Sequence, residues 1–169
     1  MTTTSSGMAG GAQAGTTWAG LASRPEAERV GPMCDLLREV MSLPEDQRAT
    51  ALDGMVRAEY ALDDATLHSF TASRLRAWLR LAGDDMESAR TLSRAWDQVF
   101  DGMPAETAMR RATVVQTVAR SELSSEEVAV LFEFIPSIVR QIPRAPSSLS
   151  QRIAEAPPER DTPWWKFWG

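Results

Sequence analysis

Cysteine and histidine are nearly absent from this chain, in which Cys34 and His68 are the single residues of their types. One cysteine excludes an internal disulfide framework. Together the two residues supply too few soft ligands for a structural zinc site. We therefore expect no metal and no other cofactor. We expect Cys34 to be a small core residue on a helix rather than a reactive thiol, because free cysteines are usually buried.

Long apolar runs are also missing. No segment approaches the ~20 consecutive apolar residues that a membrane-spanning helix needs. Residues 1–20 contain no lysine or arginine and no apolar run, so they lack both parts of a signal peptide. Neither end of the chain carries a motif for myristoylation or prenylation. These absences favour a cytoplasmic protein that can lie at a membrane surface without crossing the membrane.

Basic residues are outnumbered, with 18 Lys and Arg against 23 Asp and Glu, which gives a net charge of −5. A general nucleic-acid binder needs a basic surface that replaces the counterions of the phosphates. We therefore expect no nucleic-acid partner. Any attraction to a membrane must come from a local feature, since the chain as a whole is acidic.

Recognisable catalytic motifs are missing as well. His68 is the one imidazole, and we expect it to lie at or near the surface of a helix without a catalytic role. No serine stands in a nucleophile-elbow pattern. The glycines between residues 7 and 15 follow no predicted strand, and we interpret them as linker rather than as a phosphate loop. We predict that the protein is not an enzyme and has no small-molecule substrate. An enzyme using His68 or clustered acids is the weakest hypothesis.

Apolar residues recur at helical spacing from residue 31 to residue 142. After a first helix that opens at Pro32, further helices are predicted to begin near residues 44, 63, 84, 104 and 124. Breaks of a few residues force neighbouring helices to run antiparallel. We predict an all-α fold, a compact up-down array of five to six antiparallel helices with extended N- and C-terminal tails.

Acidic residues cluster where helices are predicted to begin, at Asp63-Asp64, Asp84-Asp85 and Glu126-Glu127. Helix capping and the helix dipole explain these positions without a metal. The segment from Ser124 to Glu127 has the pattern of a capping box. A metal site would require several of these acids to converge in space, which the spacing does not indicate.

Two groups of arginines lie on predicted helices. Arg74, Arg76 and Arg80 share the third helix, and we expect a solvated face there. Arg110 and Arg111 lie on the fifth helix, where they form surface ion pairs or bind an acidic partner. Solvation is the favoured interpretation for both groups.

The two ends of the chain differ in composition from the helical domain of residues 31–142. Residues 1–30 are rich in Thr, Ser, Gly and Ala and are predicted to be a flexible or partner-ordered tail. Trp18 and Leu21 are the exceptions, and they can dock this stretch on the domain or on a partner. Trp78 and Trp96, by contrast, fall on apolar helical stripes and are predicted to lie in the core. Recurrent prolines predict a semi-rigid tether over residues 143–162.

The strongest functional signal is the aromatic tip, which we define as residues 163–169. It contains Trp164, Trp165, Lys166, Phe167 and Trp168, and so holds three of the six tryptophans. Aromatic rings at a chain end, where chains usually fray, need something to cover them. A membrane interface would favour the rings and let Lys166 reach the headgroups. A pocket on a protein partner would also cover them, and so would the protein's own helices.

From these features we predict a non-enzymatic accessory or scaffold subunit that docks peripherally on a membrane-associated protein complex. An energy-transducing or transport complex would fit. The expected partners are a protein complex, a membrane surface or both, contacted by the aromatic tip and by Trp18. The second hypothesis is a soluble helical adaptor whose Trp cluster plugs a pocket on one protein partner.

Overall fold

The computed structural model describes residues 4–135 and Ser137, and every regular element in this part of the chain is helical. The elements are α1 (Thr4–Gly20), two 3₁₀ turns (Leu21–Ser23 and Glu26–Glu28), α2 (Val30–Ser42), α3 (Glu45–Tyr60), α4 (Asp64–Asp84), α5 (Met86–Asp101), α6 (Ala105–Ser121) and α7 (Ser125–Phe134). The predicted all-α class is confirmed. The starts of α3 to α7 lie within two residues of the predicted positions. The predicted tether and the aromatic tip lie outside the described residues.

Side-chain caps begin three of these helices, as the acidic clusters predict. Asp63 accepts a hydrogen bond from the backbone N–H of Thr66 at 3.0 Å. Asp85 accepts from the N–H groups of two residues in the first turn of α5. Ser124 and Glu127 form the predicted capping box, with each side chain bonded to the other's backbone N–H. Helix α4 continues through Gly83 to Asp84, and Asp85 is the capping residue of the next helix.

These carboxylate caps predict that the stability of the fold depends on pH at the acidic end of the range. The hydroxyl and N–H of Ser88 lower the pKa of Asp85 below its ordinary value of 3.8. A carboxyl whose pKa is lowered by folding stabilises the fold above its unfolded pKa, and this contribution disappears as the pH falls through the folded pKa. Asp85→Asn keeps a capping oxygen but does not titrate. We expect it to flatten the loss of stability between about pH 4 and pH 2, measured by urea midpoints. A loss of stability that is equally steep in the variant and in the original protein would contradict this role of Asp85.

Helix α4 lies at the centre of the described fold. It packs against α2, α3, α5, α6 and α7. Its buried residues cover most of its circumference and are Leu67, Phe70, Thr71, Ala72, Ser73, Arg74, Leu75, Ala77, Trp78, Leu81 and Ala82. A helix that other helices surround has little solvated face, so even an arginine on it can be buried.

An aromatic chain crosses the core from α1 to α7. The ring of Trp18 packs edge-on against Phe70 at 5.5 Å and against Trp96 at 5.9 Å between ring centroids. Trp96 in turn packs edge-on against Trp78, and Trp78 stacks on Phe134 at 6.2 Å. Edge-to-face geometry is favoured by the quadrupoles of aromatic rings. The predicted core positions of Trp78 and Trp96 are confirmed, and Trp18 joins them.

The N-terminal segment differs from the sequence expectation. Composition predicts a tail over residues 1–30 and a linker at its glycines, but Thr4–Gly20 form α1, which packs along α3. The two backbones touch at three glycines: a Cβ built on Gly54 would lie 2.0 Å from the carbonyl oxygen of Gly11, and one on Gly15 would lie 2.5 Å from that of Gly54. The small residues that suggest disorder are what allow this close backbone contact.

The single cysteine and the single histidine lie where the sequence predicts them. Cys34 is fully buried, and its thiol donates to the carbonyl of Ala77 at 3.2 Å. Burial raises the pKa of the Cys34 thiol, which keeps it in the less reactive protonated form. His68 is half-buried on α4. The predictions of a core cysteine and of a histidine near the surface are confirmed.

Candidate functional site

The residues predicted to contact a partner fall into two groups. Those of the aromatic tip, Trp164, Trp165, Lys166, Phe167 and Trp168, lie outside the described residues. Trp18 lies in the core, where its exposed fraction is 0% and its indole N–H donates to Glu59 at 3.0 Å. The expectation that Trp18 contacts a partner is therefore corrected. Trp18 instead docks its own segment on the domain.

Glu59 is the centre of a buried polar cluster that joins α1, α3 and α4. One oxygen of its carboxylate accepts from Trp18, and the other accepts from Nε of Arg74 at 2.9 Å. The exposed fractions of the Glu59 and Arg74 side chains are 0% and 3%. Burial acts to lower the pKa of Arg74, but the charge and hydrogen bond of Glu59, together with Tyr60 and Asp97, outweigh burial, and the pKa is raised. The expectation of a solvated Arg74 is wrong, because other helices surround α4.

A second ion pair lies between α5 and α6, where the buried Arg111 binds the half-buried Asp97. Ser137 completes it, donating to Asp97 at 2.8 Å and accepting from Arg111 at 3.1 Å. The guanidinium of Arg111 also stacks over the ring of Phe100, 4.1 Å from its centroid. The expected surface ion pair of Arg111 is therefore a partly buried one, and it fixes Ser137, at the end of the described residues, to the domain.

The neighbouring Arg110 has a different partner. Its guanidinium donates to the carbonyl of Leu62 at 2.7 Å and to the carboxylate of Asp64 at 2.7 Å. These contacts tie α6 to the connection between α3 and α4. The Arg110 side chain is 31% exposed, so this is the partly solvated ion pair that the sequence predicts. Such pairs contribute ~0–1 kcal/mol each.

A small cavity is lined by Arg74 of the first ion pair and by both members of the second. Its free volume is about 10 Å³, which is room for one water-sized occupant. The residues that line it are Arg74, Leu75, Trp78, Ser93, Trp96, Asp97, Arg111, Val115 and Ile135. Two arginines and two tryptophans therefore line the same small cavity.

Two larger grooves open on the surface. One, of about 570 Å³, lies between α3 and α5 and contains Arg48, Asp53 and Arg94. The other, of about 590 Å³, is lined by α1, α2 and the start of α3, with the acids Glu39 and Asp46 at its edges. Each mixes polar and apolar walls, and neither collects a nucleophile beside a base among the residues that the structure describes.

The buried polar cluster has a signal in the sequence. Glu59 follows Met55 by four residues, and so falls on the apolar stripe of α3. Arg74 falls midway between Phe70 and Trp78 on the stripe of α4. A lone charge on an apolar helical stripe is expensive to bury unless a partner of opposite charge faces it. Two such charges of opposite sign, on consecutive helices, indicate a pair.

Three further findings bear on the class of function. Within the described residues, no helix has both the length and the apolar character to cross a membrane. The same part of the chain contains no group of three or more His, Cys, Asp or Glu side chains placed to hold a metal ion. Comparisons with protein-family models, curated proteins and solved structures gave no match. The function is therefore inferred from this chain alone.

Proposed function

We propose that this protein is a non-enzymatic accessory or scaffold subunit that docks peripherally on a membrane-associated protein complex. The helical domain is the body of the subunit, and the aromatic tip is its point of attachment. Residues 143–162 are the tether between them. The protein acts on the cytoplasmic side of the membrane, and an energy-transducing or transport complex would fit this role.

The observation that carries this proposal is the polar surface of the described helices. Among the described residues, Met109 is the one large hydrophobic side chain that is exposed, at 71%. The three tryptophans outside the aromatic tip already fill the core. Apart from the two grooves, whose walls mix polar and apolar side chains, the described surface of these helices is largely polar, so cover for four aromatic rings comes more naturally from a partner or a membrane.

The energy available from the aromatic tip is sufficient for attachment. A Trp or Phe side chain buries about 150–250 Å², and half-burying one ring contributes roughly 2–3 kcal/mol. Four rings together give several kcal/mol after the cost of ordering the chain. That is comparable to a single acyl chain, which binds membranes reversibly. This binding free energy is sufficient for a peripheral subunit that attaches reversibly.

The proposal includes an up-down arrangement of the helices. A single residue, Asp85, separates α4 from α5, and three residues separate α5 from α6 and α6 from α7. Connections this short favour antiparallel neighbours. A compact array of alternating helices is a rigid body, which suits a subunit that is held at one point.

Deleting residues 163–169 tests the proposal. We expect the full chain to sediment with the membrane fraction of its cell and to float with liposomes, and the deletion to remain in the supernatant. A variant with Trp164, Trp165, Phe167 and Trp168 replaced by serine keeps the length and should behave like the deletion. Lys166→Ala is the matched control and should lose little binding. Association that is unchanged without the rings would overturn the proposal.

The adaptor hypothesis has one observation in its favour, which is the net charge of −5. An acidic body is repelled by anionic lipid headgroups, whereas a Trp anchor in a protein pocket does not depend on that charge. If the adaptor hypothesis is right, the ring variant loses a captured protein partner, while the full chain fails to float with bare liposomes.

A further inference from the structure

The groove lined by α1, α2 and the start of α3 carries charge of one sign. Its charged side chains are Glu39 on α2 and Asp46 on α3, and both are exposed. Neither forms an ion pair within the part of the chain that the structure describes. The groove between α3 and α5, in contrast, contains the arginines Arg48 and Arg94 as well as acids. The uniform negative charge of the first groove favours a cationic occupant.

Apolar side chains line the same groove. Leu36, Val40 and Leu43 follow one another at helical spacing along α2 and its capping residue. Leu36 and Leu43 lie at the margin of the core and are half-buried, so part of each side chain faces solvent. Ala14 of α1 lies at the margin of the core in the same way. An occupant of this groove therefore needs apolar side chains as well as positive charge.

The walls of the groove are helices, and this determines the form of the occupant. The hydroxyl of Thr17 donates to the carbonyl of Gln13 at 3.0 Å. That of Thr50 donates to the carbonyl of Asp46 at 2.9 Å. Hydroxyl and backbone groups of these walls are thus bonded within their own helices, and an extended peptide would leave its own backbone groups without partners here. A helix bonds its backbone internally and presents side chains alone.

The same carboxylates disfavour other classes of partner. Anionic lipid headgroups and the phosphates of nucleic acids are repelled by an acidic groove. The net charge of −5 adds a longer-range attraction for a basic partner. The groove volume of about 590 Å³ is in the range of sites that enclose a ligand, and it leaves room for several side chains of a helix.

We propose that this groove binds a basic amphipathic helix of a protein partner. Apolar side chains of the helix pack against Leu36 and Leu43, and its lysines or arginines lie beside Glu39 and Asp46. Helices of this kind bind grooves through apolar residues three or four positions apart. The groove is a contact point on the helical domain itself, and it depends neither on the aromatic tip nor on the proposed docking at a membrane.

A labelled model peptide tests the groove. The probe is a peptide of about fifteen residues with leucines on one helical face and lysines on the other. Its affinity for the full chain is measured by fluorescence anisotropy at low salt. Glu39→Gln with Asp46→Asn should weaken binding by about five- to tenfold. Asp101→Asn with Glu133→Gln removes two other exposed acids, so it matches the change in net charge, and it should weaken binding by less than about twofold.

Two altered peptides and a shortened chain separate the contributions. A peptide of the same composition with its leucines scattered around the helix should bind at least about tenfold more weakly, and so should a peptide with glutamate in place of lysine. Removing residues 163–169 should leave the affinity for the first peptide unchanged. The Glu39 and Asp46 double variant should still float with liposomes as the full chain does. Failure of the groove and failure of the proposed docking are therefore distinguishable.

Four results would overturn the proposal. The first two are equal affinities of the groove variant and its charge-matched control, and equal binding of the scattered peptide. The third is tighter peptide binding once residues 163–169 are removed, which would show that the groove holds the chain's own aromatic tip. The fourth is loss of flotation in the groove variant, which would assign the groove to lipid.

Discussion

Replacing Gly54 with leucine is expected to separate α1 from α3 and to lower the free energy of unfolding by about 3–5 kcal/mol. A Cβ at this position would lie 2.0 Å from the carbonyl oxygen of Gly11 and 2.6 Å from its carbonyl carbon. The obstacle is backbone, so no change of rotamer relieves it. As α1 moves away, it withdraws Trp18 from the core, and the contacts of this ring with Phe70 and Trp96 are lost.

Gly83→Leu is the control for this experiment, because Gly83 also lies in a helix and a Cβ there meets nothing within 4 Å. Urea unfolding gives the stability of both variants, and limited proteolysis shows whether α1 is released. We expect early cleavage within residues 10–20 in the Gly54 variant and none in the Gly83 variant. Equal stability of the two variants, with α1 protected in both, would show that the glycine contact does not hold α1 in place.

Replacing Glu59 with leucine is expected to destabilise the domain by a similar amount, about 3–5 kcal/mol, because it leaves the buried guanidinium of Arg74 without its carboxylate. The Arg74 side chain is 3% exposed and cannot turn to solvent without disturbing α4. The indole N–H of Trp18 loses its acceptor in the same step. Glu59→Gln keeps one acceptor oxygen and should cost less.

A double-mutant cycle separates the ion pair from simple loss of packing. Glu59→Leu and Arg74→Met together remove both charges and leave apolar groups of similar volume, which is often neutral or stabilising. We expect the double variant to be more stable than either single variant when urea midpoints are compared. Strict additivity of the two single losses would mean that the two side chains act independently, in contradiction to the 2.9 Å contact between them.

The helix starts of the domain can be predicted because their signals are local. Asp63, Asp85 and Ser124 cap their helices through residues no more than three positions away, and the prolines at 44 and 104 also act on the adjacent turn. Such signals are complete within a short window of sequence. The spacing of the starts then indicates the number of helices from α2 to α7.

Helix α1 cannot be predicted in the same way. Its glycines lower its intrinsic helix propensity, and the segment carries no charged side chain. What stabilises it is Gly54, which lies 39 residues beyond Gly15 in sequence and becomes its neighbour only in the fold. Tertiary packing overrides propensity here, and a composition typical of a linker forms a close helix contact.

The burial of Arg74 is also difficult to predict from the sequence, for a related reason. The pattern of α4 groups Arg74 with Arg76 and Arg80 on one solvated face, and the latter two are indeed partly or fully exposed. Which face of α4 is solvated depends on the helices that surround it, and the chain segment of α4 does not contain that information. The opposite charge on the stripe of α3 is the one clue to the pair.

The accessibility of the tryptophans tests the proposed function most directly, because it measures whether the aromatic tip is uncovered in the isolated protein. Acrylamide quenching of tryptophan fluorescence is compared for the full chain and for the chain without residues 163–169. Trp18, Trp78 and Trp96 are at most 1% exposed and should resist the quencher in both. We predict a large accessible fraction in the full chain that the deletion removes, and that added membranes protect. An accessible fraction that is equally small in both chains would show that the rings are already covered by the domain, and would contradict the proposal.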